Sequence, residues 1–113
     1  MRIKSILLFT VAVLPFTLFS QIPVTKYHPN KEGKIRERYS VLPNDSSMIV
    51  GDYAAYDIEG NLAVTGHYTA GQKDGEFINY YPNGIVQRST FYKNNLREGI
   101  IKVFDQAKNV IQE

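Results

Sequence analysis

A 24-residue period runs through the second half of this 113-residue chain. Each copy starts with glycine, has an apolar or aromatic residue two positions later, and has Tyr or Phe five positions after the glycine. The three copies occupy residues 51–56, 75–80 and 99–104, and between them Tyr68 matches Tyr92. Because chance rarely produces so many matches at one spacing, we infer a structural unit that repeats along the chain.

A degenerate half-copy precedes these three copies. Gly33 precedes Gly60 by three positions more than the period of the later copies. The extra length predicts a longer loop at residues 43–47, where Pro and Asn are followed by Asp and two Ser. We therefore divide the chain after residue 20 into an N-terminal segment, residues 21–50, and a repeat region, residues 51–113.

Each copy has the composition of a β-hairpin. Tyr, Phe, Val, Ile and Thr are enriched between turn residues, as in the segment 75–92. Asn83 and Gly84, which follow a proline, are a strong hairpin-turn signal because both tolerate positive φ angles. Gly60 serves the same purpose one copy earlier, whereas residues 107–109, Ala-Lys-Asn, form turns less readily.

These patterns predict an all-β fold. After residue 20, no segment carries apolar residues at sustained helical spacing. We expect an antiparallel meander of β-hairpins, one hairpin in each period, that forms a curved sheet a single layer thick. At most a short helical turn is expected, around Leu96.

The first 20 residues have the order of a secretory signal peptide. Arg2 and Lys4 supply a basic start, an apolar run that only Thr10 interrupts covers residues 6–14, and the small residue Ser20 ends the segment. The apolar part, which Pro15 interrupts, is short for a membrane span. We predict cleavage after Ser20 and export of the rest; an uncleaved anchor is the alternative.

The chain contains no cysteine. A bacterial lipoprotein needs a cysteine directly after its signal peptide, so we predict an exported protein, in the periplasm or outside the cell, that is not a lipoprotein. No disulfide can form in that oxidising compartment, and packing alone must hold the fold together.

The charge balance argues against nucleic-acid binding. Without Arg2 and Lys4, 11 basic and 11 acidic residues remain, so the exported part is neutral and has no general attraction to phosphate backbones. Residues 26–38 and 88–108 are mainly basic, and residues 45–76 are mainly acidic. These regions are either a solvated surface or patches that dock onto one another, and the weakness of isolated surface charges favours the first interpretation.

The repeated aromatic residues are the predicted core and the candidate binding surface. A lone hairpin cannot bury its apolar side chains in water, whereas neighbouring hairpins can pack their rings together. Equivalent residues of successive hairpins lie two strands apart, about 9.5 Å, so rings from the intervening strands must interleave. A single layer leaves part of this surface open to a partner. We expect three rows, made of Tyr53, Phe77 and Ile101, of Tyr56, Tyr80 and Phe104, and of Tyr68 and Tyr92; the tyrosines and Phe77 are the candidate partner-binding residues.

Few residues suggest catalysis or metal binding. A nucleophilic triad would need Ser46 or Ser47 and an acid such as Asp45 to gather around His67, and nothing in their spacing indicates that. The segment 57–61 resembles a calcium loop only in its first residues, and a hairpin turn explains it fully. We expect a protein that is not an enzyme, without cofactor or metal.

The repeat resembles the MORN repeat, in the variant form common in bacterial proteins. The match is closest at residues 66–68, Gly-His-Tyr, which Gly71 and then residues 74–75, Asp-Gly, follow as they do in the family. In the next copy, Thr90 and Asn95 stand where the family has glycine.

This resemblance covers residues 51–113 well and residues 33–50 only weakly. It implies a curved single-layer sheet of hairpins that serves interaction, either in membrane association or in the scaffolding of proteins. Some bacterial relatives are labelled antitoxin components of toxin–antitoxin systems, which implies that they bind and neutralise a partner. In an exported protein, such a partner would lie in the envelope or arrive from outside.

Three functional hypotheses follow. The favoured one is an exported, non-catalytic protein-interaction module, antitoxin-like or inhibitor-like, that binds an unknown protein through the aromatic surface or an open edge strand. The alternative is binding of membrane lipid or cell-wall glycan through tyrosine rings and flanking Lys and Arg, for which the neutral net charge is unfavourable. The third is an enzyme with His67 as its base. The sequence leaves self-association open.

Overall fold

The computed structural model describes residues 21–113, and its ten strands form one antiparallel sheet. The predicted all-β meander of hairpins is therefore confirmed, while the predicted signal peptide lies outside the described residues. The strands are β1 (Ile22–Tyr27), β2 (Ile35–Leu42), β3 (Asp45–Tyr56), β4 (Leu62–Thr69), β5 (Gln72–Lys73), β6 (Gly75–Tyr80), β7 (Val86–Lys93), β8 (Leu96–Arg97), β9 (Lys102–Phe104) and β10 (Val110–Gln112). Their spatial order is β1-β2-β3-β4-β6-β7-β9-β10, and the short strands β5 and β8 pair with β4 and β7.

The period of the sequence sets the pairing between hairpins. Val64 in β4 faces Asn79 in β6, and their counterparts one period later, Arg88 in β7 and Val103 in β9, face each other in the same way. Residues one period apart in the sequence therefore hold equivalent positions in the sheet.

A break in register recurs within the hairpins. It lies between Ala55 and Tyr56 in the pairing of β3 with β4, and between Asn79 and Tyr80 in the pairing of β6 with β7. An extra residue in one strand of a pair bends the strand and increases its twist. Each repeat thus carries its own source of sheet curvature.

The three hairpins of the repeat region close through one type of five-residue turn. In the first, the Asp57 N–H donates to Asn61 O at 2.9 Å and the Gly60 N–H donates to Asp57 O at 3.0 Å; the same two bonds recur one and two periods later. The fourth turn residue has a φ of 92° at Gly60 and 70° at Lys108. Glycine adopts this left-handed angle freely, whereas a lysine does so at a cost in free energy.

Aspartate side chains support the turns that lack the Asn-Gly pair. Asp105 Oδ1 accepts hydrogen bonds from the N–H groups of Ala107 and Asn109, both at 2.9 Å, and Asp57 makes equivalent bonds in the first turn. Hydrogen bonding from the Asn109 backbone holds the pKa of Asp105 below its usual range, as Asn61 does for Asp57. This bonding explains how the segment predicted to be the poorest turn forms the same turn as the others.

Tight two-residue turns connect β4 to β5 and β7 to β8. Ala70 and Gly71 have φ angles of 51° and 79°, and Asn94 and Asn95 have 52° and 69°. Two consecutive positive φ angles are typical of a type I′ hairpin turn, in which Asn substitutes well for Gly. The chain therefore reverses at Asn95, and Leu96 lies in strand β8 rather than in the short helical turn expected around it.

The insertion in the N-terminal half-copy does not form the predicted loop at residues 43–47. Leu42 at the end of β2 pairs directly with Asp45 at the start of β3, so only Pro43 and Asn44 form the turn. Residues 46–48, between the pairs Val41–Ile49 and Leu42–Asp45, have no partner in β2, so the inserted length forms a bulge within the 12-residue strand β3.

The described part of the chain buries few side chains. Val41 and Phe77 are its only buried apolar residues, at 5% and 6% exposure, and Ser89 and Thr90 are its buried polar ones. Each face of a single-layer sheet is covered only by side chains of the same sheet, which explains the low burial.

Phe77 is buried because its ring lies over the backbone of Gly66. A Cβ atom on Gly66 would overlap the Phe77 ring. One copy later, Thr90 stands in the place of Gly66 and the smaller Ile101 stands in the place of Phe77. The large ring and the missing side chain are therefore a matched pair.

Gly66→Ala should lower the free energy of unfolding by about 1–3 kcal/mol, because the added methyl group overpacks against Phe77. Urea unfolding measures the change. In the Phe77→Ile variant, which imitates the pairing of Thr90 with Ile101, Gly66→Ala should lower the free energy of unfolding much less. Equal costs in both backgrounds would show that the ring does not impose the glycine.

Lys108→Gly should stabilise the protein by roughly 0.5–1 kcal/mol, because glycine relieves the left-handed φ angle of Lys108. Gly84→Ala, at the equivalent position of the preceding turn, is the reciprocal control and should destabilise. Thermal unfolding of both variants checks the pair. A loss of stability in Lys108→Gly would mean that contacts of the lysine side chain outweigh its backbone strain.

Candidate functional site

A continuous row of aromatic rings crosses one face of the sheet, which we call the aromatic face. The centroid distances are 6.2 Å for Tyr39–Tyr53, 5.7 Å for Tyr53–Tyr68, 5.5 Å for Tyr68–Phe77 and 5.4 Å for Phe77–Tyr92. The last three contacts are edge-to-face, an arrangement that aromatic pairs prefer. Tyr68 and Tyr92, which the sequence assigns to a row from the returning strands, thus interleave with the rings of β3 and β6.

The rings of this row differ in their exposure. Phe77 is buried and holds the row together, whereas Tyr39, Tyr53, Tyr68 and Tyr92 are half-buried. The tyrosines are therefore the members that a molecule lying on the aromatic face could touch, and the role of Phe77 is structural.

A carboxylate holds Tyr53, the second ring of the row, in place. The Tyr53 hydroxyl donates a hydrogen bond to Glu37 Oε2 at 2.7 Å, and Arg36 lies 3.2 Å from the other oxygen of Glu37. Burial raises the pKa of the Tyr53 phenol, and the hydrogen bond to Glu37 raises it further. Burial also raises the pKa of Tyr68, and the negative charge of Glu37 raises it further. Both phenols therefore remain neutral hydroxyls at physiological pH.

Lysine side chains lie over the aromatic row. Lys73 Nζ is 5.1 Å from the centroid of the Phe77 ring and 4.8 Å from that of Tyr92, and Lys26 Nζ is 6.0 Å from the centroid of Tyr39. A cation within about 6 Å of a ring face is attracted by the ring quadrupole. The face therefore combines aromatic surface with positive charge.

Tyr56 and Tyr80 lie on the opposite face of the sheet. Each follows a ring of the aromatic row, Tyr53 or Phe77, by three positions, and an odd spacing turns the side chain to the other side of a strand. The Tyr80 hydroxyl is 3.1 Å from Thr65 Oγ1, a hydrogen bond between neighbouring strands.

A groove of about 840 Å³ runs along this opposite face near the last hairpin. Its apolar lining includes Ile78, Phe91, Ile100 and Phe104. Phe91 and Ile100 are 48% and 58% exposed, so this groove is open to solvent.

The residues predicted to form turns lie in the hairpin turns. Gly60 and Gly84 hold the left-handed position, with φ angles of 92° and 91°. Asn83 Oδ1 accepts a hydrogen bond from the Ile85 N–H at 3.1 Å. Their place in the structure accounts for their identity without a binding role.

His67 pairs with Asp52 rather than with a serine. Its Nδ1 is 3.1 Å from Asp52 Oδ1 at the exposed surface. Ser47 donates its hydroxyl to Asp45, and neither residue pairs with β4, where His67 lies opposite Asp52. Within residues 21–113, the serine, the histidine and Asp45 are therefore not brought together.

The described chain also offers no cluster of metal ligands. No three His, Asp or Glu side chains of residues 21–113 lie close enough to hold an ion. In the segment compared with a calcium loop, Asp57 Oδ1 accepts backbone hydrogen bonds from Glu59 and Asn61, as a hairpin turn requires. The same residues include no helix with the length and apolar character needed to cross a membrane.

Two members of the aromatic face were not found from the sequence. Tyr39 lies in the half-copy with the longer spacing. When Gly33 is aligned with Gly60, Tyr39 aligns with Gly66, so the next copy has no ring at the equivalent position. Glu37, two positions earlier, shares its face. In the same alignment Glu37 matches Val64, so the repeat gives no signal for either residue.

Stability should fall at alkaline pH in a way that depends on Tyr53. Its pKa is raised by folding, so its stabilising effect is complete below about pH 10, the pKa of an unfolded tyrosine, and is lost as the pH rises toward the folded value. Urea unfolding between about pH 9 and pH 11 should show a shallower decline for Tyr53→Phe than for the parent.

Tyr27→Phe is the matched control for this experiment, because Tyr27 lies at an exposed position of the edge strand β1. It should retain the parent profile. If Tyr53→Phe declines as steeply as the parent, the contact with Glu37 is not the source of the alkaline sensitivity.

Comparison of this chain with models of known protein families, with curated protein sequences and with solved structures found no match. The aromatic row, its carboxylate and lysine contacts and the open groove are therefore the observations from which a function must be inferred.

Proposed function

We propose that this chain is an exported, MORN-like repeat protein that acts as a non-catalytic protein-interaction module in the cell envelope or outside the cell. The observation that carries the proposal is the uncovered sheet. Only two apolar side chains of residues 21–113 are buried, although one face carries an aromatic row and the other an apolar groove. Contiguous apolar surface that is left exposed commonly marks an interaction site.

The tyrosines of the aromatic face suit a protein partner. A tyrosine offers a large apolar ring and a polar hydroxyl, and it has few rotatable bonds to immobilise on binding. Tyr53 and Tyr68 are already ordered by ring contacts, and Tyr53 also by its hydrogen bond to Glu37. Binding on this face therefore costs little additional side-chain entropy.

The mode of action that we favour is stoichiometric masking of a partner, in the manner implied by the antitoxin label of MORN-like proteins. A broad sheet face covers a surface of its partner rather than entering a narrow cleft. A rigid row of half-buried rings supplies the central apolar contact that such a complex needs, and the surrounding charges supply a polar rim.

Lipid or glycan binding is the competing function. Lys26 and Lys73 beside tyrosine rings also suit an anionic headgroup or a sugar. The balance of 11 basic and 11 acidic residues after residue 20 gives no net attraction to an anionic membrane, and this favours the protein partner.

Site-specific photocrosslinking in the native host tests the proposed function. A photoreactive phenylalanine at Tyr68 or Tyr92 should capture one protein from the envelope fraction in near-equal amount, detected with antiserum so that no tag disturbs the chain. Mass spectrometry of the captured complex should also find that the exported chain begins at Gln21.

The matched control places the photoreactive residue at Ile58, an exposed position in a hairpin turn. It should capture nothing. Capture of no protein from either tyrosine, together with salt-sensitive binding of the purified protein to anionic vesicles, would overturn the protein-partner proposal in favour of lipid.

A further inference from the structure

A small cavity lies in the middle of the aromatic face, and we call it the central cavity. The rings of Tyr53, Tyr68 and Tyr92 form part of its wall, and its volume is about 260 Å³. Pockets that hold a drug-sized ligand usually have at least about 300 Å³. The central cavity therefore has room for one protein side chain or another small group.

Polar residues replace apolar ones beside the central cavity. Arg88 lies one period after Val64, and Asn79 lies one period before Val103. In the sheet these residues are neighbours, in the order Val64, Asn79, Arg88 and Val103. Both Asn79 and Arg88 line the cavity. Since valine fills the equivalent positions of the adjacent copies, packing within the sheet does not explain the asparagine and the arginine.

Two cations border the central cavity without an anionic partner. Lys73 Nζ lies 4.8 Å from the centroid of the Tyr92 ring, and Arg88 reaches the cavity from β7. Neither cation belongs to an ion pair within residues 21–113, and no carboxylate of this range lines the cavity. Glu37, on the same face, already accepts the hydrogen bond of Tyr53. The central cavity is therefore electropositive.

The Thr90 hydroxyl is a buried donor without a partner in the described chain. Thr90 is 6% exposed and lines the central cavity. Ser89, the other buried hydroxyl residue of residues 21–113, donates to Glu76, whereas no side chain or backbone group in this range bonds the Thr90 hydroxyl. A buried hydroxyl without a hydrogen bond costs free energy. An acceptor that enters the cavity removes that cost.

A carboxylate on a protein side chain has the size and chemistry that these features require. Arginine presents a planar fork of N–H donors that matches a carboxylate, and a hydroxyl forms a strong hydrogen bond to an ionised acceptor. A protein side chain projects from its backbone and reaches into a small cavity, whereas an anionic membrane attracts through the charge of a whole surface. The balance of 11 basic and 11 acidic residues after residue 20 provides no such general attraction.

We infer that the central cavity receives the carboxylate of an Asp or Glu side chain of the partner protein. The Arg88 guanidinium and the Lys73 ammonium group neutralise its charge, and the Thr90 hydroxyl donates a hydrogen bond to it. The tyrosine rings exclude water around these contacts and thereby strengthen them. The inference rests on the proposed interaction function and names the chemistry that the partner presents.

Two peptides that differ by one charge test the inference: acetyl-Tyr-Glu-Tyr-amide and acetyl-Tyr-Gln-Tyr-amide. Their binding to the purified, isotope-labelled protein is followed through the amide NMR signals of Asn79 and Thr90. The Glu peptide should bind about 10-fold more tightly than the Gln peptide, since a hydrogen bond to a charged group is stronger than one to a neutral group. Salt should reduce this preference.

Arg88→Gln should remove most of the preference for the Glu peptide, because it removes one of the two cations. Lys102→Gln is the matched control: Lys102 is an exposed cation on the neighbouring strand β9 that lines the groove of the opposite face. It should keep the preference of the parent. Equal affinity of the parent for the two peptides, or an equal loss in the two variants, would overturn the inference.

Thr90→Val separates binding from folding. Valine is close to threonine in shape and removes the unbonded hydroxyl, so the free energy of unfolding of the free protein should stay the same or rise. The affinity for the Glu peptide should nevertheless fall about 2- to 10-fold. A less stable variant would show that the hydroxyl is bonded in the free protein, and unchanged affinity would show that it does not meet the carboxylate. Either result contradicts the inference.

Vesicles of phosphatidylglycerol and phosphatidylcholine test the lipid alternative. The parent protein should bind them no better than Arg88→Gln does. If the parent binds the vesicles, Arg88→Gln does not, and the two peptides bind equally, then the cavity receives a lipid phosphate and the inference is wrong.

Photocrosslinking from Tyr39 separates this inference from the proposed function, because Tyr39 belongs to the row of rings but does not line the central cavity. Arg88→Gln should strongly reduce capture of the envelope protein, and Lys102→Gln should not. Undiminished capture in Arg88→Gln leaves the interaction function standing and rules out the carboxylate site. Absence of capture from both Tyr39 and Tyr68 in the parent overturns the proposed function and, with it, the protein source of the carboxylate.

Discussion

The contact on which this fold depends is the Phe77 ring lying over the bare backbone of Gly66. A sheet without a second layer has nothing to pack against except itself, so its apolar burial must come from side chains that reach across to the next strand. Strands lie about 4.8 Å apart, and edge-to-face rings span that gap. Removing one side chain, at Gly66, allows Phe77 to lie flat and to touch Tyr68 and Tyr92 on either side.

Much of this arrangement could be predicted from the sequence because the repeat is local. A hairpin and its turn lie within one period, and Asn83 with Gly84 encodes the turn through backbone freedom alone. The strand spacing alone was enough to predict that the rings of Tyr53 and Tyr68 alternate across the sheet. The aromatic face was therefore predictable wherever the copies keep their length.

The rest depended on partners that no local pattern shows. Lysine does not favour a turn, and Lys108 lies in one because Asp105 accepts two backbone hydrogen bonds from the turn. The insertion after Leu42 was expected as a loop because a difference in length does not show whether the extra residues form a loop or, as residues 46–48 do, a bulge within a strand. Glu37 belongs to the site only because it accepts a hydrogen bond from Tyr53, which lies on another strand and is distant in the sequence.

In a sheet of this kind, stability and recognition use the same contacts. Each hairpin is stabilised by the rings and ladder of its neighbours, so the free energy spreads along the sheet from one repeat to the next. The half-exposed tyrosines of the aromatic face are held by these same ring contacts, so the side chains that we propose for recognition also stabilise the fold. The repeat that builds the fold therefore also forms the surface that we propose for binding.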